Sequence, residues 1–483
     1  SINNGNKNSL IYFIQMLIKG NLIPKNHKKA KKLIESNFLK EESVYLFLYG
    51  KLCKNEKRYQ KAMDYFLQSL KIGNNNLEYE IAELLRKNYC QQENQEEELS
   101  KYYKESINHD NYKAMFKYGI YLLNKNENDE GEQLIKQSVD KGCLKAIYYY
   151  GLKLEKAEKD KKKNSREYLE YYKRGANEGH VQSMNKYALK YIKMLRKSPK
   201  EENKEESLRY LKKASDKGCI ESMYEYGNII VEGDVGIQSN PKEGARYVRI
   251  AAENGCADAM GCYASLLKYG KGVEVNYEEA VKYYKTAIDK GSKLAMNNYA
   301  FMLQNGQGVE VNYKEAINYY KMAIDKGYSK AMSNYARMLE IGQGVEVNYK
   351  EAIKYYEMAI DKGNTKAMNN YALMLKNGHG VDVNYQKAVK YFKMAIDKGN
   401  PKAMNNYAII LKNGKKGIKQ NISESIKYFK MAIDKGYSDA MNNYACMLRS
   451  GKEINVNYNE AIKYFKMAIE NGHNKSMNNL AQM

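Results

Sequence analysis

Residues that usually build catalytic and metal sites are scarce in this sequence. It contains no tryptophan, four prolines, five histidines and seven cysteines among 483 residues. The cysteines are odd in number and form no Cys-x-x-Cys pair, so they predict neither a zinc site nor a disulfide framework. The histidines lie too far apart in sequence to act as paired metal ligands on one helix: His27, His109, His180, His379 and His473. We therefore predict that the chain binds no metal and no cofactor.

Catalytic and targeting motifs are missing as well. The sequence has no Gly-x-Ser-x-Gly elbow, no phosphate-binding Gly-rich loop before Lys-Ser or Lys-Thr, and no His-Glu-x-x-His. The longest apolar run near the start, from Leu10 to Ile18, is far shorter than the roughly 20 residues that a membrane span needs. It also lacks the basic flank and the small-residue cleavage site of a signal peptide. These absences predict a cytoplasmic protein that is not an enzyme and has no membrane span.

Positive charge is the first feature that is present in excess. The formal net charge is +23, and the 80 basic residues comprise 70 lysines and 10 arginines. A positive field attracts polyanions, but phosphate recognition favours arginine, whose planar guanidinium binds phosphate at two points. The heavy use of Lys, Asn, Tyr and Ile also follows from AT-rich codons. The charge therefore indicates a solvated lysine surface, and we do not expect nucleic acid as a partner.

An internal repeat organises the chain. From Gly291 onward, the glycine of the phrase Ala-Ile-Asp-Lys-Gly and its variants recurs every 36 or 37 residues, and the same register extends backwards to the start. Fourteen anchor positions result, two of which are not glycine: Gly5, Glu41, Gly73, Asp110, Gly142, Gly179, Gly218, Gly255, Gly291, Gly327, Gly363, Gly399, Gly436 and Gly472. Around each anchor the apolar pattern predicts two helices, helix A ending at the anchor and helix B beginning just after it.

Local chemistry predicts where these helices begin and end. Asn348 precedes an apolar pattern of helical period, and Glu351 follows it by three residues, as in a capping box. Gly363 can adopt the left-handed conformation that follows a helix end. The Asn-and-Glu pair recurs at Asn164, Asn203, Asn240, Asn276, Asn312, Asn421 and Asn457, whereas Asn384 is followed by Lys387. Small residues inside both helices, such as Ala352 and Ala372, predict close helix packing.

The segment from Asn348 to Val381 resembles the Sel1-like repeat, with Asn-Tyr-Lys-Glu-Ala-Ile-Lys-Tyr-Tyr in helix A and a Gly-x-Gly-Val turn after helix B. Tetratricopeptide repeats share the architecture but recur every 34 residues and lack this turn. The resemblance covers essentially the whole chain and implies an all-α fold, a right-handed α-α superhelix of about 13 Sel1-like helix-turn-helix repeats. We divide the chain into degenerate repeats at residues 1–217 and regular repeats at residues 218–483, continuous with the first as one solenoid.

The resemblance implies a non-enzymatic scaffold or adaptor that binds other proteins through the concave face of the array. Proteins of the family assemble complexes in endoplasmic-reticulum-associated degradation, in cell-wall synthesis and in host–microbe interactions, so we expect a signalling or protein-quality-control complex. Two alternatives stay open. The net charge would suit a basic helical-repeat RNA-binding protein. A chain that starts at Ser1 would suit the repeat region of a longer enzyme, such as a protein kinase.

Lysines of helix A are the candidate partner-binding residues. They flank its aromatic pair on both sides, and helix A is expected to line the concave wall, which would create a basic groove for acidic peptides or segments. The ten candidates are Lys282, Lys285, Lys321, Lys354, Lys390, Lys393, Lys427, Lys430, Lys463 and Lys466. The alternative is that these lysines are ordinary solvated positions.

Two further expectations concern helix B and the variation between units. The tyrosine and methionine columns of helix B, which include Tyr371 and Met368, are predicted to be core because they recur on its apolar face. Specificity would be encoded where the units differ from one another. We expect that variation between residues 80 and 240.

Overall fold

The computed structural model describes residues 7–20, 22–74, 77–89, 94–161, 166–195, 204–233, 236–415, 417–452 and 454–483. The predicted anchor Gly5 and the predicted caps Asn164 and Asn203 lie outside these residues. The described residues form 27 helices: α1 Lys7–Lys19, α2 His27–Asn37, α3 Ser43–Asn55, α4 Tyr59–Lys71, α5 Glu78–Arg86, α6 Gln95–Asn108, α7 Tyr112–Asn124, α8 Asn128–Asp140, α9 Leu144–Lys161, α10 Tyr168–Asn177, α11 Val181–Leu195, α12 Lys204–Asp216, α13 Ile220–Glu232, α14 Pro241–Glu253, α15 Ala257–Tyr269, α16 Tyr277–Asp289, α17 Lys293–Asn305, α18 Tyr313–Asp325, α19 Ser329–Ile341, α20 Tyr349–Asp361, α21 Thr365–Asn377, α22 Tyr385–Asp397, α23 Pro401–Asn413, α24 Ile422–Asp434, α25 Ser438–Ser450, α26 Tyr458–Glu470 and α27 Lys475–Ala481.

The helices alternate as the repeat predicts. Even-numbered helices are helix A and odd-numbered helices are helix B, and within each half of the chain, α1 to α12 and α13 to α27, consecutive helices pack against each other. Gly363, for example, lies in the tight turn between α20 and α21. The described residues thus contain thirteen A and fourteen B helices, and the predicted all-α helix-turn-helix array is confirmed.

The helix ends form through the predicted local contacts. Asn348 Oδ1 accepts a hydrogen bond from the Glu351 backbone N–H at 3.0 Å, and Asn348 Nδ2 donates to Glu351 Oε2 at 3.4 Å. Gly363 has a φ of +78°, in the left-handed region. Asn384 caps α22 through the backbone N–H of Lys387. Each such cap stabilises its helix by about 1 kcal/mol.

Small residues let neighbouring helices approach closely. Ala352 in α20 and Ala372 in α21 are fully buried. Gly227 in α13 faces Gly244 in α14, and a Cβ atom placed on Gly227 would lie 2.7 Å from the Gly244 carbonyl oxygen. A side chain there would therefore force the two helices apart.

The aromatic columns are core, as predicted. The helix B tyrosines and methionines are at most 4% exposed from α17 to α25: Tyr299, Tyr335, Tyr371, Tyr407, Tyr444, Met296, Met332, Met368, Met404 and Met441. Each of these tyrosines meets the first residue of the aromatic pair in the middle of the following helix A. Tyr299 and Tyr319 are typical, with ring centroids 5.2 Å apart and an interplanar angle of 66°. Such edge-to-face pairs add specific geometry to apolar burial.

The chain divides into two compact units, Ser1–Cys219 (unit 1) and Ile220–Met483 (unit 2). Unit 1 contains α1 to α12, and its repeats differ from one another in sequence. Unit 2 contains α13 to α27, and one continuous core runs from Val231 to Ala468. The continuity of the two parts as a single solenoid stays a prediction.

Candidate functional site

In unit 2 the B helices form an open groove with a volume of about 500 Å³. Side chains from α15, α17 and α19 line it, together with the turn before α21 and the first residues of that helix. We call it the amide groove because Asn297, Asn298 and Asn334 lie along it. All of its lining residues belong to helix B or to the turn that precedes helix B.

Asparagine side chains join the B helices that border this groove. Asn334 Nδ2 in α19 donates to Asn297 Oδ1 in α17 at 3.0 Å. Equivalent bonds of 2.8–2.9 Å join later pairs of B helices: Asn406 to Asn369, Asn443 to Asn405 and Asn479 to Asn442. These distances are near the optimum for N–H···O hydrogen bonds. The ladder therefore links these pairs of successive B helices.

A buried lysine lies at one end of the amide groove. Lys268 is only 4% exposed, and its ammonium group lies 4.7 Å from the ring centroids of both Tyr269 and Phe301. Among the described residues no carboxylate forms an ion pair with Lys268. The electron-rich ring faces partly compensate a cation that has lost water.

The ten predicted helix A lysines all lie on exposed positions, and none of them lines the amide groove. One column lies nearer the helix start and comprises Lys282, Lys354, Lys390, Lys427 and Lys463. Within it, Lys282 pairs with Glu278 at 2.8 Å, and the Lys463 ammonium lies 5.9 Å from the Tyr464 ring centroid.

The second lysine column covers core tyrosines. It comprises Lys285, Lys321, Lys393, Lys430 and Lys466. The first four place their ammonium groups 5.4–5.8 Å from the rings of Tyr299, Tyr335, Tyr407 and Tyr444, respectively. Where the column is interrupted by Glu357, Tyr371 instead donates a hydrogen bond to that carboxylate at 3.2 Å. This column thus has a packing role, and partner binding by all ten lysines stays a prediction.

Unit 1 has its own groove, with a volume of about 470 Å³, which we call the lysine groove; the B helices α1, α3 and α5 form most of it, and the first residue of α4 also contributes. It is lined by five lysines, three aromatic residues and one carboxylate, among others: Lys19, Lys51, Lys54, Lys57, Lys87, Phe47, Tyr59, Tyr89 and Glu80. Tyr59 and Tyr89 stack with ring centroids 3.9 Å apart. The groove is therefore basic and partly apolar.

Glu80 is held by two of these lysines. Both Lys51 and Lys54 bond to its carboxylate, the second at 2.5 Å. Burial by itself would raise the pKa of Glu80, but the two ammonium charges outweigh burial and lower that pKa to about 2. Burial also lowers the pKa of Lys51, although Glu80 opposes this effect.

A further cavity of about 490 Å³ lies along α5, α7 and α9 of unit 1. Phe116, Lys117, Lys145 and His180 are among its lining residues. Burial, followed by the charge of Lys145, lowers the pKa of His180. Phe116 occupies the sixth position after its anchor, as Asn297 does in the amide groove. The same repeat positions therefore line cavities of different chemistry.

Within the described ranges, no group of three or more His, Cys, Asp or Glu side chains is placed to hold a metal ion. No helix in this part of the chain is both long and apolar enough to cross a membrane.

Sequence reasoning missed the asparagine ladder and Lys268. Paired asparagines recur with the repeat period, for example at Asn297–Asn298 and Asn369–Asn370, and could have indicated the ladder.

One solved structure shares this fold over most of the chain, and two others are less similar. The crystal structure of c5321, a protective antigen of uropathogenic Escherichia coli with an SLR fold, is 18% identical with a TM-score of 0.53, and the match covers 86% of this chain and 91% of that chain. A Sel1 repeat protein from Oxalobacter formigenes is 24% identical with a TM-score of 0.43, over 51% of this chain and 96% of that chain. Yeast Tom70 is 13% identical with a TM-score of 0.38, and the match covers 91% of this chain and 95% of that chain. A search of curated proteins finds no match.

The Sel1 repeat profile matches eight consecutive segments: 181–219, 220–256, 257–292, 293–328, 329–364, 365–400, 401–437 and 438–473. Each segment holds a helix B and the helix A that follows it. The sequence analysis instead pairs each helix A with the helix B that follows it, so the two divisions differ by one helix. In the division by the profile, the Gly-x-Gly-Val turn lies within a repeat and not between repeats. The matched segments cover more than half of the chain, which therefore belongs to the Sel1 repeat family.

Proposed function

We propose that this protein is a non-enzymatic scaffold that binds segments of other proteins along the surface of its B helices. Membership of a repeat family that stacks helix pairs supports a binding role, because such arrays expose long continuous surfaces. The observation that carries the proposal is the set of open grooves on the B helices of each unit. The same framework presents amides in one groove and lysines with aromatic rings in another.

The contents of these grooves suit recognition of polypeptide. Primary amides offer both a donor and an acceptor, which match the N–H and C=O groups of a peptide backbone. Exposed aromatic rings beside them supply apolar contact area, as at Tyr269, which is 65% exposed. The helix A lysines are a second candidate surface for acidic segments. A cytoplasmic location and the assembly of a signalling or quality-control complex remain predictions.

Site-specific photo-crosslinking tests the proposal. A photoreactive phenylalanine analogue is placed at Phe301 or Phe47, which line grooves on the B helices, and at the exposed helix A positions Lys314 or Lys350 as controls. In a lysate of the source cells, we expect discrete crosslinked proteins from the B helix positions and few from the controls. Crosslinks from the helix A positions alone, or from neither set, would contradict the proposal.

A further inference from the structure

The amide groove of unit 2 has charge of only one sign. None of the described residues that line it is Asp or Glu, whereas Lys268, Lys330 and Lys366 all contribute. Lys268 is the unusual member because it is buried, lacks a carboxylate partner among the described residues and still lines the groove. Burying a cation without a counter-charge is costly. A ligand that brings an anion into the groove would relieve that cost.

Two helix ends reinforce the positive potential. Lys330 and Lys366 are exposed residues in the first turns of α19 and α21, each a helix of 13 residues. Helix N-termini carry a partial positive charge and orient free backbone N–H groups towards anions. The first turn of each helix borders the groove. An anion in the groove would therefore meet lysines and helix dipoles of the same sign.

The aromatic pair around Lys268 does not recur in the neighbouring repeats. At the position of Tyr269, the next three repeats have Asn305, Ile341 and Asn377, and at the position of Phe301 the flanking repeats have Ser265 and Arg337. Those repeats pack in the same way without aromatic residues at these positions. Packing of the array therefore does not require Tyr269 and Phe301, and a ligand accounts for them better.

We propose that the amide groove binds an acidic segment of a partner protein in an extended conformation, with one carboxylate at Lys268. Further carboxylates would lie near Lys330 and Lys366, and the amides of Asn298 and Asn334 would contact the peptide backbone. Helix layers spaced about 8–10 Å apart give three repeats a length that about six to nine extended residues can follow. This inference rests on the proposed function and specifies the partner class for one of its grooves.

Fluorescence anisotropy with the full chain tests the inference. The probe is a fluorescein-labelled peptide of about nine residues with alternating glutamate and alanine, and the matched control peptide has glutamine in place of glutamate. Lys268→Met keeps an unbranched side chain whose sulfur packs well between two rings, so it removes charge with little change in shape. Lys330→Gln/Lys366→Gln removes two exposed charges, and Lys354→Gln/Lys390→Gln removes the same charge from helix A.

We expect the glutamate peptide to bind the unmodified chain and the glutamine peptide to bind far more weakly. Lys268→Met and the Lys330/Lys366 double variant should each weaken binding about tenfold or more, because each removes charge that faces the ligand. The helix A double variant should stay within about twofold, since screening reduces the effect of distant exposed charges. Circular dichroism checks that each variant is folded. If Lys268→Met does not fold, the exposed double variant decides the test.

Three results would overturn the inference. In the first, the glutamate peptide fails to bind; in the second, the groove variants bind it as tightly as the unmodified chain does; in the third, the helix A double variant loses as much affinity as the groove variants. A short oligouridine that binds more tightly than the peptide, and loses affinity in Lys268→Met, would instead assign the groove to nucleic acid. The photo-crosslinking experiment separates this inference from the broader one. Crosslinks from Phe301 that persist unchanged in Lys268→Met would keep the scaffold proposal and reject an acidic ligand.

Discussion

The ion pairs around Glu80 in the lysine groove allow a quantitative prediction. Lys51 and Lys54 both bond to this carboxylate, whose side chain is 20% exposed. Glu80→Gln keeps the shape of the side chain but removes its charge. Two ammonium groups would then remain at a largely buried site without their counter-charge, which is strongly destabilising in general.

The magnitude follows from the pKa of Glu80, which is about 2 in the folded chain against an ordinary value of 4.5. A tenfold change in proton affinity corresponds to about 1.4 kcal/mol, so the ionised carboxylate contributes about 3 kcal/mol at pH 7. Because the folded-state pKa is the lower one, this contribution is fully present above pH 4.5 and is lost as the pH falls towards 2. At pH 3 about 1.4 kcal/mol of it should remain.

Hydrogen exchange of peptides from α3 and α5 is the suitable assay, because repeat arrays open locally and need not unfold in one step. We expect Glu80→Gln to lower the opening free energy of these helices by about 3 kcal/mol at pH 7 and by less than half of that at pH 3. Glu97→Gln, at an exposed position of α6, is the control and should have little effect. A loss below about 1 kcal/mol at pH 7, or an equal loss at both pH values, would refute the reasoning.

Two further predictions concern unit 2, and hydrogen exchange measures the free energy of local unfolding in both. Gly344→Ala should lower the free energy of unfolding by about 3 kcal/mol or more, because Gly344 has a φ of +73° and the new Cβ would also collide with the Tyr313 side chain. Gly436 has a similar φ of +74° but no neighbour within 4 Å, so Gly436→Ala should lower it by only about 1–2 kcal/mol, the strain of the left-handed conformation. Equal costs would contradict the close contact. Tyr356→Phe removes the 2.8 Å hydrogen bond to the buried carboxylate of Glu340 and should lower the free energy of unfolding by about 2 kcal/mol. Tyr320→Phe removes a hydrogen bond to the neutral amide of Gln304 and should lower it by about 1 kcal/mol. A larger loss in Tyr320→Phe than in Tyr356→Phe would show that the charge of the acceptor does not determine the strength of these hydrogen bonds.

Features that depend on neighbouring residues in sequence were predictable. Asn348 and Gly363 define helix ends because their partners lie within a few residues. The core position of Tyr371 and Met368 follows from helical periodicity, since only one face of helix B can pack against its neighbours. These interactions are short-range, and the residue pattern therefore contains them.

The amide groove could not be predicted in the same way. In sequence, Lys268 resembles any other lysine near the end of a helix, and its burial depends on Phe301 in a different B helix. The helix A lysines recur with the period of the repeat, yet Lys321 and its counterparts cover core tyrosines such as Tyr335. Lys268 also lies outside residues 80–240, where we expected the informative variation, and that expectation stays a prediction.

The distinction between recurring and non-recurring residues also bears on how many partners the chain binds. A residue type that recurs in most repeats serves contacts that every repeat needs, whereas recognition of a particular segment requires differences. The sixth position after the anchor is aromatic at Phe47 and Phe116 in unit 1 and polar at Asn297 and Ser333 in unit 2. A groove lined by rings and lysines favours a segment with both apolar and acidic side chains, and a groove lined by amides and lysines favours a polar acidic segment. The two units are therefore better suited to two different segments than to two copies of one.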